Sequence, residues 1–159
     1  MWQPPRAVSL VSGHGEGGTE VNAFDRALQH AGVANLNFIR VTSILPPGAR
    51  VIEVPPYPPG ILVPAVYARI VSTTPGDRIS AAIGVGINHD RHGVIMEHTG
   101  HASGAETERI VRRMIEEGFE MRGMELHDVV VTAAEHTVQR TGCTVAVALF
   151  WPTLTGLPG

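Results

Sequence analysis

Apolar and polar positions along the chain follow two different periods. AVSLVS (7–12) alternates as a short strand. GHGEGG (13–18) interrupts it, and a helical period follows in which Val21, Phe24, Leu28 and Ala31 share one face before Gly32 supplies a stop. NLNFIRVTSI (35–44) returns to strand character. ILVPAVYARIVS (61–72), a TPGD turn, RISAAIGVGI (78–87), the HDRHG turn and VIMEHT (94–99) together read as an antiparallel meander. A second helix is announced by Ser103 and Glu106, an S-x-x-E capping box, and carries an apolar stripe of Ile110, Val111, Met114, Ile115 and Phe119, with Gly123 placed to end it. DVVVTAAEHTV (128–138) and CTVAVALFW (143–151) are predicted to close the chain as a hairpin across QRTG.

Between the second strand and the meander lies LPPGARVIEVPPYPPG (45–60). Its paired prolines exclude a helix or a central strand and leave RVIEV as the one β-capable stretch, so a stiff, ordered surface connection is expected. Two helices and about seven strands in meanders and hairpins predict an α/β sandwich with the helices outside the sheets. A length of 159 residues fits one domain, 1–159, with a real core.

Composition narrows the function. Hydrophobic residues make up 43% and charged residues 17%, which suits a chain with surface committed to an oligomer interface. The net charge of -3, with no basic run, gives no footprint for nucleic acid or an anionic membrane. No leader or membrane span is expected, and the cytoplasm is the expected location. Cys143, the one cysteine, lies in a strand-like run and reads as core rather than nucleophile.

Several candidate sites compete with plainer readings. Gly13, Gly15 and Gly18 match a dinucleotide fingerprint in form, but the second strand ends in Arg40 and Thr42 rather than an acid, so a flexible or interface loop is the better expectation. His89, His92, His98 and His101 cluster in turns and strand ends, where solvation accounts for them as well as a metal would. Glu97 ends the apolar run GVIM; it is either a solvated strand end or a carboxyl in dry surroundings, usable as a proton donor. Asp25 sits inside the first helix, on what reads as a solvated face.

Thr42 and Ser43 stand side by side just before Pro46 and Pro47. The plain reading is a pair of hydroxyls on an edge strand. The chemical one is backbone cleavage: the Ser43 hydroxyl attacks the Thr42 carbonyl, an N-to-O acyl shift gives an ester, and β-elimination expels the Thr42 carboxylate to leave a dehydroalanine whose hydrolysis, with loss of ammonia, gives a pyruvoyl group. The prolines would hold the following segment rigid.

The blocks VSLVSG, EVNAFDRAL, NLNFIRVTSILPP, GILVPAVYARI, PGDRISAAIGVGI, VIME, GFEMRGMEL, AAEHTV and LFW, in this order, resemble the pyruvoyl-dependent arginine decarboxylases over nearly the whole chain. The resemblance implies a four-layer αββα sandwich with mostly antiparallel sheets. It implies self-cleavage between Thr42 and Ser43 into a β chain, 1–42, and an α chain, 43–159, whose first residue becomes the covalent pyruvoyl cofactor, with no metal and no pyridoxal phosphate. L-arginine would be converted to agmatine and carbon dioxide through a Schiff base to that group. Asn37 corresponds to the residue supporting self-cleavage, Asp25 to the acid receiving the guanidinium, and Glu97 to the proton donor. The family usually has Ser where this chain has Thr42, so the added β-methyl is expected to affect the rate of cleavage. The resemblance also implies trimers with interfacial sites. On one straight strand Asn37 and Ser43 would lie about 20 Å apart, which favours a neighbouring subunit as the source of Asn37 unless the strand bends. A non-catalytic, uncleaved trimeric paralogue and a decarboxylase of another amino acid remain the alternatives.

Overall fold

The computed structural model describes residues 3–152. In chain order the elements are β1 (Ala7–Glu16), α1 (Glu20–His30), β2 (Asn37–Arg40), β3 (Ile44–Leu45), β4 (Arg50–Val51), β5 (Leu62–Ser72), β6 (Arg78–Ile87), β7 (Gly93–Gly100), α2 (Gly104–Glu120), β8 (Asp128–Thr137) and β9 (Gly142–Trp151). The strands form two mostly antiparallel sheets, ordered β2-β5-β9-β1-β4 and β3-β7-β6-β8. The result is an α/β sandwich.

The alternation along β9 explains how one strand serves two apolar layers. Cys143, Val145, Val147, Leu149 and Trp151 face a cluster completed by Ala23, Ala27 and Leu28 of α1. Ala146, Ala148 and Phe150 face the opposite way, into a cluster with Ile83, Val85 and Ile95 of the second sheet. α2 covers the other side of that sheet through Val111, Ile115 and Phe119.

Both helices are capped as their sequences dictate. The Thr19 hydroxyl accepts from the Asn22 N–H at 3.1 Å, and the Ser103–Glu106 capping box is complete. Gly32 and Gly123 follow the two helices with φ of +79° and +58°, the left-handed conformation that ends a helix at little cost to glycine. On α1 the buried face is Ala23, Ala27 and Leu28; Val21, expected among them, is 71% exposed. Small residues replace it because β1 lies so close, and Gly13, Gly15 and Gly17 make the approach possible. A Cβ on Gly13 would stand 2.3 Å from the Ala27 carbonyl oxygen, and one on Gly15 2.3 Å from Arg26 Cγ. The run expected as a loop is therefore mostly strand, and Gly13, Gly15 and Gly17 in it serve helix packing, whereas Gly18 meets nothing.

Three connections differ from expectation in the same way. β5 does not pair with β6, and β8 does not form a hairpin with β9; each turn instead carries the chain from one sheet to the other. Residues 35–44 are likewise not one strand. β2 runs parallel to β5 in the first sheet, whereas β3 pairs antiparallel with β7 in the second. Local pattern reports strand character but not which sheet receives the strand. The proline-rich connection behaves as expected: Arg50–Val51 joins β1 as a short parallel edge, and the Tyr57 hydroxyl donates to the Gly32 carbonyl at 2.9 Å.

The glycine packing yields a direct test. Gly13→Ala is expected to lower the midpoint of denaturant unfolding, at a cost of roughly 1–3 kcal/mol for overpacking against backbone. Gly18→Ala, with nothing within 4 Å of the added methyl, should leave the midpoint within error of the parent.

Candidate active site

β2 ends at Arg40 and β3 begins at Ile44, so Val41, Thr42 and Ser43 form the step between sheets. The step is held at both ends. The Val41 N–H donates to the Ala65 carbonyl at 3.1 Å in the first sheet, and the Ser43 carbonyl accepts from the Ile95 N–H at 2.8 Å in the second. The Thr42–Ser43 peptide thus lies between two anchored points, with Thr42 exposed and Ser43 half-buried. Thr42 also lines an apolar cleft of 470 Å³ with Val41, Ile44, Leu62 and Trp151.

Two residues beyond Ile95 on β7 comes Glu97, half-buried in a polar cleft of 560 Å³ lined by Arg40, Tyr67, Ala68, Arg69, His98 and Thr99. Burial pushes the Glu97 carboxyl above its ordinary value, and the Arg40 charge pulls partly against it. Of the two readings of Glu97, solvated strand end or carboxyl in dry surroundings, the half-buried position in a polar cleft lies between them. Ser43 and Glu97 are brought to the same stretch of β7 edge by the Ser43–Ile95 hydrogen bond.

Asp25 and Asn37 are placed elsewhere. Asp25 is exposed on α1, where its carboxylate accepts from Gln29 Nε2 at 2.7 Å, and it does not line the Glu97 cleft. Asn37 opens β2, and its Nδ2 donates to the Gly60 carbonyl at 2.9 Å. Because the chain changes sheets after Arg40, the straight-strand separation of Asn37 and Ser43 does not apply.

Arg40, Tyr67 and Arg69 of the cleft were not singled out from sequence as site residues, and His98 was noted only as one of a histidine cluster. Arg40 and Tyr67 do stand in blocks flanking the hydroxyl pair and the next strand, NFIR and VYAR, but a charged residue at a strand end carries no signal of its own. The Arg40 guanidinium lies 4.7 Å from the centre of the Tyr67 ring, and Arg69 lies at the same distance over Phe24.

The histidines divide into local pairs. His89 stacks on His127 and faces Asp128 at 3.2 Å, and His101 faces Asp77 at 3.0 Å. His98 alone of that group reaches the Glu97 cleft, while His92 makes no such pair. Among the described residues no group of three or more His, Cys, Asp and Glu side chains is placed to hold a metal ion. Cys143 is fully buried, and burial pushes its thiol up to about 11. No helix among the described residues is long and apolar enough to cross a membrane.

The sequence pattern of the family described as pyruvoyl-dependent arginine decarboxylase matches residues 7–154, which takes in the sheet-to-sheet step and every strand of the cleft. The chain belongs to that family. Curated relatives carrying the same description agree with this. One from Methanocaldococcus jannaschii is 50% identical over 149 residues, covering 92% of this chain and 90% of its own length. One from Methanococcus vannielii is 43% identical, with 94% and 93% covered, and one from Thermococcus kodakarensis is 41% identical, with 95% and 98% covered. Membership in the pyruvoyl-dependent arginine decarboxylase family makes the fit of a main-chain-derived carbonyl group a question for this site. The features that bear on it are the half-buried Ser43 in a step anchored at both ends, the exposed Thr42 before it and the prolines that follow, although Ser43 itself lines neither cleft.

The opposite side of the sandwich holds a polar seam that the sequence did not reveal. Burial alone would push the Glu16 carboxyl up, but the Gln139 N–H, His136 Nε2 and the Arg140 and Thr141 N–H groups hold it at about 2. His136 Nδ1 meets His14 Nδ1 at 3.0 Å, and Ser12 meets Thr132 at 2.8 Å. A carboxyl depressed on folding contributes stability that is present above its unfolded value, near 4.5, and is lost as pH falls toward about 2. Acid unfolding should therefore steepen over that window in the wild type. Glu16→Gln, which cannot titrate, should show a shallower slope there when stability is followed against pH.

Proposed function

We propose that this chain is a self-processing decarboxylase that cleaves between Thr42 and Ser43, carries a pyruvoyl group formed from Ser43, and converts L-arginine to agmatine and carbon dioxide. The observation that carries the reading is the hydrogen bond from the Ile95 N–H to the Ser43 carbonyl, which sets the anchored step beside the cleft containing Glu97. The shared names of relatives covering more than nine-tenths of the chain support arginine as the substrate.

The bound group would supply an electrophilic carbonyl acting as an electron sink. All 12 of the basic Lys and Arg residues are arginine, so the chain has no lysine to hold pyridoxal phosphate, which agrees with a pyruvoyl group implied by the family. Around it, Glu97 holds the proton destined for the substrate's α-carbon, and its partial burial keeps that proton on the acid at higher pH than a solvated glutamate would. Asp25 pairs with the guanidinium, whose fork a carboxylate can bind through two hydrogen bonds. Asn37 supports cleavage.

Asp25 lies outside the Glu97 cleft within one chain, so a site using both is shared between subunits, and a trimer is the assembly we infer. The strand edges support it: β5 beyond Ala65 and β7 beyond Val94 lack sheet neighbours on one side, as do β8 along its length and β1 beyond Val8. Two unlike open sides on one protomer suit a head-to-tail ring.

Release of carbon dioxide from L-arginine labelled at the carboxyl carbon tests the reading. Processed wild type should release it, and Glu97→Gln should still cleave while turning over roughly 10² to 10⁴ more slowly, the range for a lost general acid. Wild-type rates in Glu97→Gln would remove its role as donor. Asp25→Asn should raise KM for arginine more than it lowers kcat, whereas equal losses for arginine and for amino acids without a guanidinium would remove the specificity role.

A further inference from the structure

Arg40 is the last residue of β2, and its exposed side chain folds back onto the β5 edge. The strand stops at Arg40 and only the Val41 N–H reaches β5 beyond it, so the β5 edge has unfilled carbonyls. Arg40 Nη2 donates to one of them, Tyr67 O, at 3.2 Å, while the guanidinium carbon rests 4.7 Å from the centre of the Tyr67 ring. The head group is thereby fixed by a carbonyl and a ring, and it faces the cleft that contains Glu97.

The other charged or titratable groups of that cleft are differently engaged. Arg69 of β5 is drawn over Phe24 of α1, Tyr67 presents its ring to Arg40, and His98 neighbours Glu97 on β7 itself. From β6 the residue opposite Glu97 is Ile83, which brings no charge. Among the described residues neither Arg40 nor Glu97 forms an ion pair within 4.0 Å. Arg40 thus shares the cleft of the Glu97 carboxyl and acts on it by charge, while its head group is held on Tyr67 of the neighbouring β5 rather than paired with it.

We propose that Arg40 is a positioning residue for Glu97, a cation clamped to the strand edge that sets the upper pH limit at which the proton donor still carries its proton. The proposal rests on the reading of Glu97 as that donor. A clamped charge suits this better than a mobile one. A closed ion pair would strip the proton at working pH, whereas desolvation with no counter-charge would hold the carboxyl neutral well into the range where its proton must leave. Arginine fits the clamp because its planar head stacks on the ring and hydrogen-bonds in its own plane at once.

The test compares wild type, Arg40→Met and Arg40→Lys as processed enzymes, with the pH profile of kcat/KM for arginine as readout. Removing the charge leaves burial unopposed, so the high-pH limb should move to higher pH in Arg40→Met and return toward its wild-type position in Arg40→Lys. A loss of activity with the limb unmoved overturns the proposal, since a merely structural residue would lower the rate at every pH. Glu97→Gln separates the two assignments. If the limb persists in that variant, the donor reading fails and the role of Arg40 with it. If the limb vanishes there yet stays fixed in Arg40→Met, the Arg40 proposal alone fails. A second readout needs no turnover: in the uncleaved Ser43→Ala protein, the ¹³C carboxyl signal of Glu97 should titrate at higher pH when Arg40→Met is added. An unchanged or lower midpoint contradicts the proposal.

Discussion

The step from one sheet to the other at Val41–Ser43 is the constraint on which the site depends. A single run of chain belongs to the first sheet up to Arg40 and to the second from Ile44, and each sheet holds its end by a backbone hydrogen bond. Neither flank can slide without breaking pairing that secures an apolar layer, so the peptide between them stays in place and in reach of solvent. The same step leaves β5 and β7 open just beyond it, and those open edges are where Arg40, Tyr67 and Glu97 gather. The anchored step and the half-buried Glu97 are neighbours because one topological event, the change of sheet, positions both.

The far side of the sandwich is closed by different means. Glu16 gathers three backbone N–H groups of the turn between β8 and β9 and a ring nitrogen of His136, so a strand end in the first sheet is tied to one in the second. Gly142 belongs to that tie: a Cβ there would stand 2.7 Å from His136 Cδ2 and 2.9 Å from Glu16 Oε1. The Gly-rich stretch and the AAEHTV block, which carried no chemistry on their own, are thereby accounted for as packing and closure.

Much of this was legible in the sequence, for identifiable reasons. The α2 capping box and stripe were readable because both are local: three-residue spacing sets the cap and a period near four sets the buried face. The apolar run before Glu97 left a solvated and a partly dry carboxyl open, because a strand-end pattern does not show which residues of the other sheet cover it. Three pairings were not legible, since a turn such as TPGD or QRTG looks the same whether it returns the chain to its own sheet or hands it to the other. Val21 failed because hydrophobicity was weighed without the close approach of β1, whose glycines bring Ala23 and Ala27 of α1 to the buried face instead. Arg40 was passed over because its role comes from Tyr67 and Glu97, remote in sequence and joined to it only by the fold.

The central claim is that the main chain at Thr42–Ser43 is itself the source of the reactive group, and the mass of the purified, denatured protein tests it most directly. The account predicts two chains, 1–42 and 43–159, the larger lacking a free amino terminus and lighter than its sequence by the replacement of Ser43 with a pyruvoyl group. A single intact chain of 17.0 kDa with an ordinary Ser43, in protein that nonetheless decarboxylates arginine, would contradict it.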